Sequence, residues 1–206
     1  MDAARKIAVF VSGGGRSLEN LSAEIAAGRL QAEITLVLAN SAKAGARERA
    51  ARLGIPCVVV DADKRLTAPE FSHAAFAAAE TAGAQLVVLA GFLRLLVIPH
   101  AWLGRVLNIH PSLLPAFGGH GFYGHRVHEA VIASGVKSTG CSVHYVTNEY
   151  DAGPVLLQRA IDLRADDTPE TLAARVFEEE KIALPQAIRM HLAGDAQATA
   201  ARAALT

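Results

Sequence analysis

The chain has 206 residues, 51% apolar and 19% charged, and Lys plus Arg equals Asp plus Glu at 20 each. One domain with ample apolar content for a core is expected, and the neutral balance argues against a polyanion-binding face and so against a nucleic-acid partner. Cys57 and Cys141 are too far apart for a paired spacing, the N-terminal MDAARKIAVFVSGGG has too short an apolar run for a signal peptide, and no segment reaches the length of a membrane span. A soluble, cytoplasmic protein is expected, with small-molecule partners, no disulfide framework, no membrane contact, and a monomeric or homodimeric state.

Strand-like and helix-like runs alternate from the start. Residues 6–11 read as a strand, 12–15 as a turn of three glycines, and 18–27 as a helix stopped by Gly28. A second strand (33–39), a helix (46–53) with Gly54 past its end, and a third strand (57–60) follow. Thr67 and Glu70 have capping-box spacing ahead of an Ala-rich helix that ends near Gly83.

The stretch 86–115, LVVLAGFLRLLVIPHAWLGRVLNIHPSLLP, is the centre of the chain. It holds an apolar run at 86–90, a turn at Gly91 and Phe92, and a short strand at 105–107. That strand is expected to deliver Asn108, Ile109 and His110 into a loop closed by Pro111 and Pro115. Buried parallel strands read as continuous apolar runs, and their sheets bind ligands beyond the carboxyl ends of the strands. A helix is expected at 127–134. After Lys137 the pattern changes: strands at 142–146 and 155–161, joined by TNEYDAG, suggest an antiparallel hairpin. A helix begins at Thr168 with Pro169 in its first turn, and Pro185 should kink or split it. The Ala-rich tail beyond Gly194 has little to bury and reads as frayed helix. The whole predicts an α/β fold: a doubly wound, mostly parallel, Rossmann-like sheet with a C-terminal antiparallel β-hairpin and a long C-terminal helix.

Three stretches could carry chemistry. The loop Ser12-Gly13-Gly14-Gly15-Arg16-Ser17-Leu18 follows a strand and opens a helix, so its amides could cradle a phosphate, or it could be a tight turn. It lacks the third glycine of a dinucleotide fingerprint, and the second strand ends in Asn40 rather than an acidic residue, which favours a terminal phosphate over NAD. Asn108 and His110, with Asp151 in the hairpin loop, could serve as an oxyanion donor, a proton carrier and its carboxylate partner. Spacing alone equally allows capping and turn roles. His120, His125 and His128 lie in GGHGFYGHRVHE without a suitably spaced acidic or Cys partner, so a Gly-rich lid at 116–124 is favoured over a metal cage.

The motifs SGGGRSL, LAGFLRLL, NIHPSLLP, HEAV, GCSVHYV and DAGPVLLQ, in this order and spacing, resemble the phosphoribosylglycinamide formyltransferase family, folate-dependent enzymes of purine synthesis. The resemblance runs from about Ile7 to Pro185 and implies a single formyltransferase domain. Its phosphate-binding half would span about 1–85, its folate-binding and catalytic half about 86–195, and its tail 195–206. It implies 10-formyltetrahydrofolate as co-substrate and no metal. By resemblance Asn108, His110 and Asp151 are the catalytic residues. Leu93, Arg94, Leu95 and Leu96 hold the pterin ring through their backbone, with Thr147, Asn148, Glu149, Tyr150 and Asp151 on its other side. Gly15, Arg16, Ser17 and Leu18 hold the ribotide phosphate, Glu180 contacts that substrate, and Ser142 and His144 lie beside the active site.

Departures from the family pattern fall mainly on the ribotide side. Arg16 and Ser17 replace a Ser-Asn pair, Lys181 and Leu184 alter the segment after Glu180, and Ala68 stands where an arginine is usual, with Lys64 and Arg65 close by. They leave room for another amine acceptor, such as an amino sugar nucleotide. The implied reaction is direct amine attack on the N10-formyl carbon. Asn108 and protonated His110 stabilise the oxyanion, and Asp151 helps carry off the amine proton. A non-catalytic Rossmann-like binding module is the alternative from another class, and it has no need of Asn108, His110 and Asp151 together.

Overall fold

The computed structural model describes residues 4–60 and 66–205. Lys64 and Arg65, near the position where the family has an arginine, lie outside the described residues. The described strands follow the sheet order β3-β2-β1-β4-β5-β6-β7, and the chain divides into two compact units, Met1–Leu107 and Asn108–Thr206. No helix among the described residues is long and apolar enough to cross a membrane.

In the first unit, β1 (Arg5–Val11) pairs in parallel with β2 (Ala32–Ala39) and β4 (Leu86–Leu89), and β2 pairs in parallel with β3 (Cys57–Val59). Ile7, Val9, Phe10, Val11, Val37, Leu38 and Val88 are wholly buried. Burying each such side chain is worth roughly 1.5–3 kcal/mol, which is why these runs lack the alternation of a sheet with one wet face. The helices are α1 (Arg16–Ala26), α2 (Ala46–Arg52) and α3 (Ala68–Thr81). Thr67 and Glu70 form the expected capping box, each satisfying the other's backbone N–H.

The second unit holds α4 (His125–Ser134), the antiparallel pair β6 (Ser138–Tyr145) and β7 (Val155–Asp162), then α5 (Pro169–Ala193) and α6 (Ala196–Ala203). Three expectations need correction. β6 begins at Ser138, not at 142, because the pairing Ser138↔Asp162 extends the ladder through Gly140, where a Cβ would overlap the Arg159 carbonyl. Pro185 does not split α5, which runs unbroken with Pro185 buried among Ala183, Leu184, Ala187 and Ile188. Packing of that apolar face offsets the backbone bond that proline cannot make. The tail is a capped helix: Asp195 accepts from the Gln197 N–H, Gln197 donates to the Leu156 carbonyl at 2.7 Å, and Ala198 is buried.

Candidate active site

The strand β5 (Val106–His110) contains Asn108 and His110, which therefore do not sit in the loop after it as expected. Ladder pairing carries the strand three residues further than its apolar run. The placement has a consequence: residues two apart on a strand share a face, so amide and imidazole project together.

Asp151 reaches them from the turn between β6 and β7. It adopts φ +54°, a left-handed conformation that Asp tolerates better than most residues. Two residues on, a Cβ at Gly153 would overlap the Tyr145 carbonyl, so glycine is required for the turn to close. The carboxylate is consequently aimed inward. Asn108 Nδ2 donates to Asp151 Oδ1 at 3.3 Å and to His144 Nε2 at 3.0 Å. His144 Nδ1–H donates to the Tyr145 carbonyl at 2.9 Å, so in its neutral form Nε2 can only accept. Both amide hydrogens of Asn108 are thereby committed, and its orientation is set by two acceptors.

His110 Nε2–H donates to the Phe117 carbonyl at 2.8 Å, and its Nδ1 lies 3.4 Å from Asp151 Oδ2. The same carboxylate oxygen accepts from the Gly119 N–H at 3.0 Å. The backbone at 117–119 thus occupies hydrogen-bonding groups of both His110 and Asp151. Phe117 is itself held at φ +55°. Burial is the largest influence on His110 and holds its pKa below the ordinary histidine value, with Asp151 and the Phe117 carbonyl pulling the other way. The resting imidazole is therefore neutral near pH 7. Burial would raise the Asp151 carboxyl, but a hydrogen bond from His144 when that ring carries both protons, the charge of a protonated His110 and the Gly119 N–H outweigh it and keep the pKa below the ordinary value.

The remaining histidines do not converge. His125 pairs with Glu129 at 3.5 Å and Glu170 at 3.2 Å, and His120 sets its ring edge-on to Tyr150. His128 is buried with Nδ1 unpaired, and burial, with His125 and His110 adding to it, lowers its pKa to about 4. A buried base with a depressed pKa contributes stability that is complete above the unfolded value of 6.5 and is lost as pH falls toward the folded one. On this scale the loss between those limits is on the order of 3 kcal/mol. In urea titrations His128→Leu is expected to flatten the fall in stability between pH 6.5 and about 4; an unchanged slope would assign the acid loss to other groups.

Ser142 is wholly buried, and its hydroxyl donates to the Ser112 carbonyl at 2.6 Å while accepting from the Leu114 N–H at 2.9 Å. Glu180 lies on α5 close enough to Cys141 to raise its thiol pKa behind the larger effect of burial. Lys181 pairs with Glu178. The loop residues Thr147 and Glu149 bond to each other locally, and Tyr150 is exposed.

In the first unit Gly15 is the N-cap of α1 at φ +80°, and a Cβ there would press on Ala46. Arg16 and Ser17 open the helix and Leu18 is buried beneath it. Ser12 Oγ accepts from the Leu93 N–H at 2.9 Å, which joins the glycine loop to the 93–96 segment. Leu93 is exposed and Leu96 buried, while Arg94 donates to the Leu66 carbonyl and stacks on Phe71.

The formyl transferase family profile matches residues 5–188, and the chain belongs to that family. It is 41% identical over 179 residues to a chloroplastic phosphoribosylglycinamide formyltransferase of Arabidopsis thaliana, covering 85% of this chain and 61% of that one. It is 40% identical over 194 residues to the trifunctional purine biosynthetic protein adenosine-3 of Gallus gallus, covering 93% of this chain and 19% of that one. The chain thus spans less than two thirds of either curated relative. The crystal structure of glycinamide ribonucleotide transformylase 1 from Symbiobacterium toebii superposes with a TM-score of 0.87 at 35% identity, covering 94% of this chain and 90% of that one.

Two groups at the site carry no signal in the sequence: the Phe117 carbonyl and the Gly119 N–H. They are backbone groups, so no residue type signals them.

Proposed function

We propose that this chain is a single formyltransferase domain acting in the cytoplasm. It transfers the formyl group of 10-formyltetrahydrofolate to the primary amine of glycinamide ribonucleotide, a step of purine biosynthesis. The observation that carries this reading is the Asp151 carboxylate set within 3.3–3.5 Å of Asn108, His110 and His144. The amine attacks the formyl carbon, and the carbonyl electron pair moves onto oxygen. Asn108 and His110 stabilise that oxyanion once it displaces His144 and Asp151 as acceptors of the Asn108 amide and the Phe117 carbonyl as acceptor of His110 Nε2–H. Asp151 takes the amine proton through water and passes it to His110 Nδ1 beside it, the bond to N10 breaks, and that proton is delivered to the departing N10. One preorganised oxyanion donor is worth ~2.7–4 kcal/mol, and holding two substrates together roughly 7–11 kcal/mol.

In this reading Leu93, Arg94, Leu95 and Leu96 bind the folate through their backbone, as do Thr147, Asn148, Glu149, Tyr150 and Asp151. Gly15, Arg16, Ser17 and Leu18 hold the phosphate and Glu180 contacts the ribotide, with Ser142 and His144 supporting the catalytic groups. Arg16 at the opening of α1 adds a cation to a helix N-terminus already suited to an anion. Arg16→Ala is expected to raise KM for the phosphorylated substrate about ten- to a hundredfold, the scale of one charge-assisted hydrogen bond, with folate KM unchanged. Equal effects on both substrates, or none, would remove Arg16 from phosphate recognition.

The deciding experiment incubates the protein with 10-formyltetrahydrofolate and glycinamide ribonucleotide and follows formylated ribotide and free formate. Formylated ribotide is the expected product. Formate released at the same rate without the amine points to hydrolysis, and turnover only with another amine reassigns the acceptor.

A further inference from the structure

We propose that Ser112 is a positioning residue for the reaction: through the turn it closes, it decides which nitrogen of His110 holds the proton. Ser112 is wholly buried, and its hydroxyl donates to the Ala116 carbonyl at 2.6 Å. Its own carbonyl accepts from Ser142 Oγ at 2.6 Å. That Ser142 hydroxyl also accepts from the Leu114 N–H at 2.9 Å and from Gln158 Nε2 at 2.8 Å, so its one hydrogen and both lone pairs are used. The turn is tied from both sides.

The next residue is Phe117, whose carbonyl accepts from His110 Nε2 at 2.8 Å. Phe117 stands at φ +55°, a conformation a phenylalanine rarely adopts unless its surroundings impose it. By drawing the Ala116 carbonyl inward, Ser112 orients the peptide that leads into Phe117. Gly118 completes the turn where a Cβ would run into the Leu114 side chain.

Two acceptors compete for the single proton of neutral His110. The Asp151 carboxylate is the stronger in kind, because hydrogen bonds to a charged oxygen exceed those to a neutral one. It lies at 3.4 Å from Nδ1, whereas the Phe117 carbonyl lies at 2.8 Å from Nε2. The held carbonyl wins, so the proton sits on Nε2. Nδ1 is left as the nitrogen that gains a proton when the imidazolium forms, with Asp151 beside it. Without Ser112 the Phe117 carbonyl is no longer held, and Asp151 draws the proton to Nδ1.

The inference rests on the reading of His110 as a catalytic group, but its test has an arm independent of activity. Side-chain nitrogen NMR of the full chain, above the histidine titration range, reports the His110 tautomer. Wild type is expected to show the Nε2–H form and Ser112→Ala a shift toward Nδ1–H. Ser134→Ala, which removes another serine-to-carbonyl bond at 2.7 Å on α4, should leave it unchanged. With formyl transfer as the assay, Ser112→Ala should lower kcat about tenfold, the scale of one hydrogen bond, at constant folate KM. Should Ser112→Ala not fold, Ser142→Ala unties the same turn at Ser112 and Leu114 and is expected to shift the tautomer likewise. An unshifted tautomer, a shift equal to that in Ser134→Ala, or a shift with full kcat overturns the proposal. A wild-type protein inactive in formyl transfer overturns the functional reading instead, and the tautomer result still stands or falls by itself.

Discussion

Replacing His110 by alanine is expected to lower kcat by about 10²–10⁴-fold, the range for a positioned proton-transfer group, while folate KM barely moves. The imidazole is almost wholly buried and rests neutral, so in the proposed mechanism its charge is available only as the oxyanion develops. An interaction made only in the transition state acts on kcat and leaves ground-state binding alone. The thermal transition of His110→Ala should be followed beside its kinetics, since deleting a buried ring leaves a cavity. A folded variant with near-normal turnover would remove His110 from the mechanism.

Asp151→Asn is expected to cost about 100-fold in kcat or more, again on the scale of proton-transfer catalysis. The substitution keeps shape and removes charge. Asp151 opposes the effect of burial on His110, so its loss lets the His110 pKa fall further. The limb of the pH–rate profile that reports His110 should accordingly move to lower pH. Asp151 also has a stability signature: its depressed pKa supplies stability that is complete above the ordinary carboxylate value of 3.8 and is lost as pH falls through the folded value. Asp151→Asn should lack that acid loss. A pH–rate profile identical to wild type would show that Asp151 and His110 are not coupled.

Features set within a few residues were legible in the sequence. The Thr67–Glu70 capping box, the opening of α5 at Pro169 behind Thr168, and the strands β1, β2 and β3, each within a residue of its expected limits, all depend on local capping or on an unbroken apolar run. Asn108, His110 and Asp151 were legible as residue types in a motif. Less was visible where partners come from far along the chain. The early start of β6 depends on Asp162, and the burial of the α6 face is accompanied by the Gln197 bond to Leu156.

What the sequence by itself determined is the alternating α/β order and the identity of the groups able to do chemistry, because helix caps, apolar runs and side-chain functional groups are properties of residue types. Only the tertiary structure decided the state of those groups. Asn108 has its amide turned by His144 and Asp151, and His110 has its proton held on Nε2 by a backbone carbonyl that any residue at position 117 would also possess. Its neutrality comes from burial, which exists only once the chain has closed around it. Hydrogen-bond geometry and desolvation depend on distances in space, and those distances carry no trace in the order of residues.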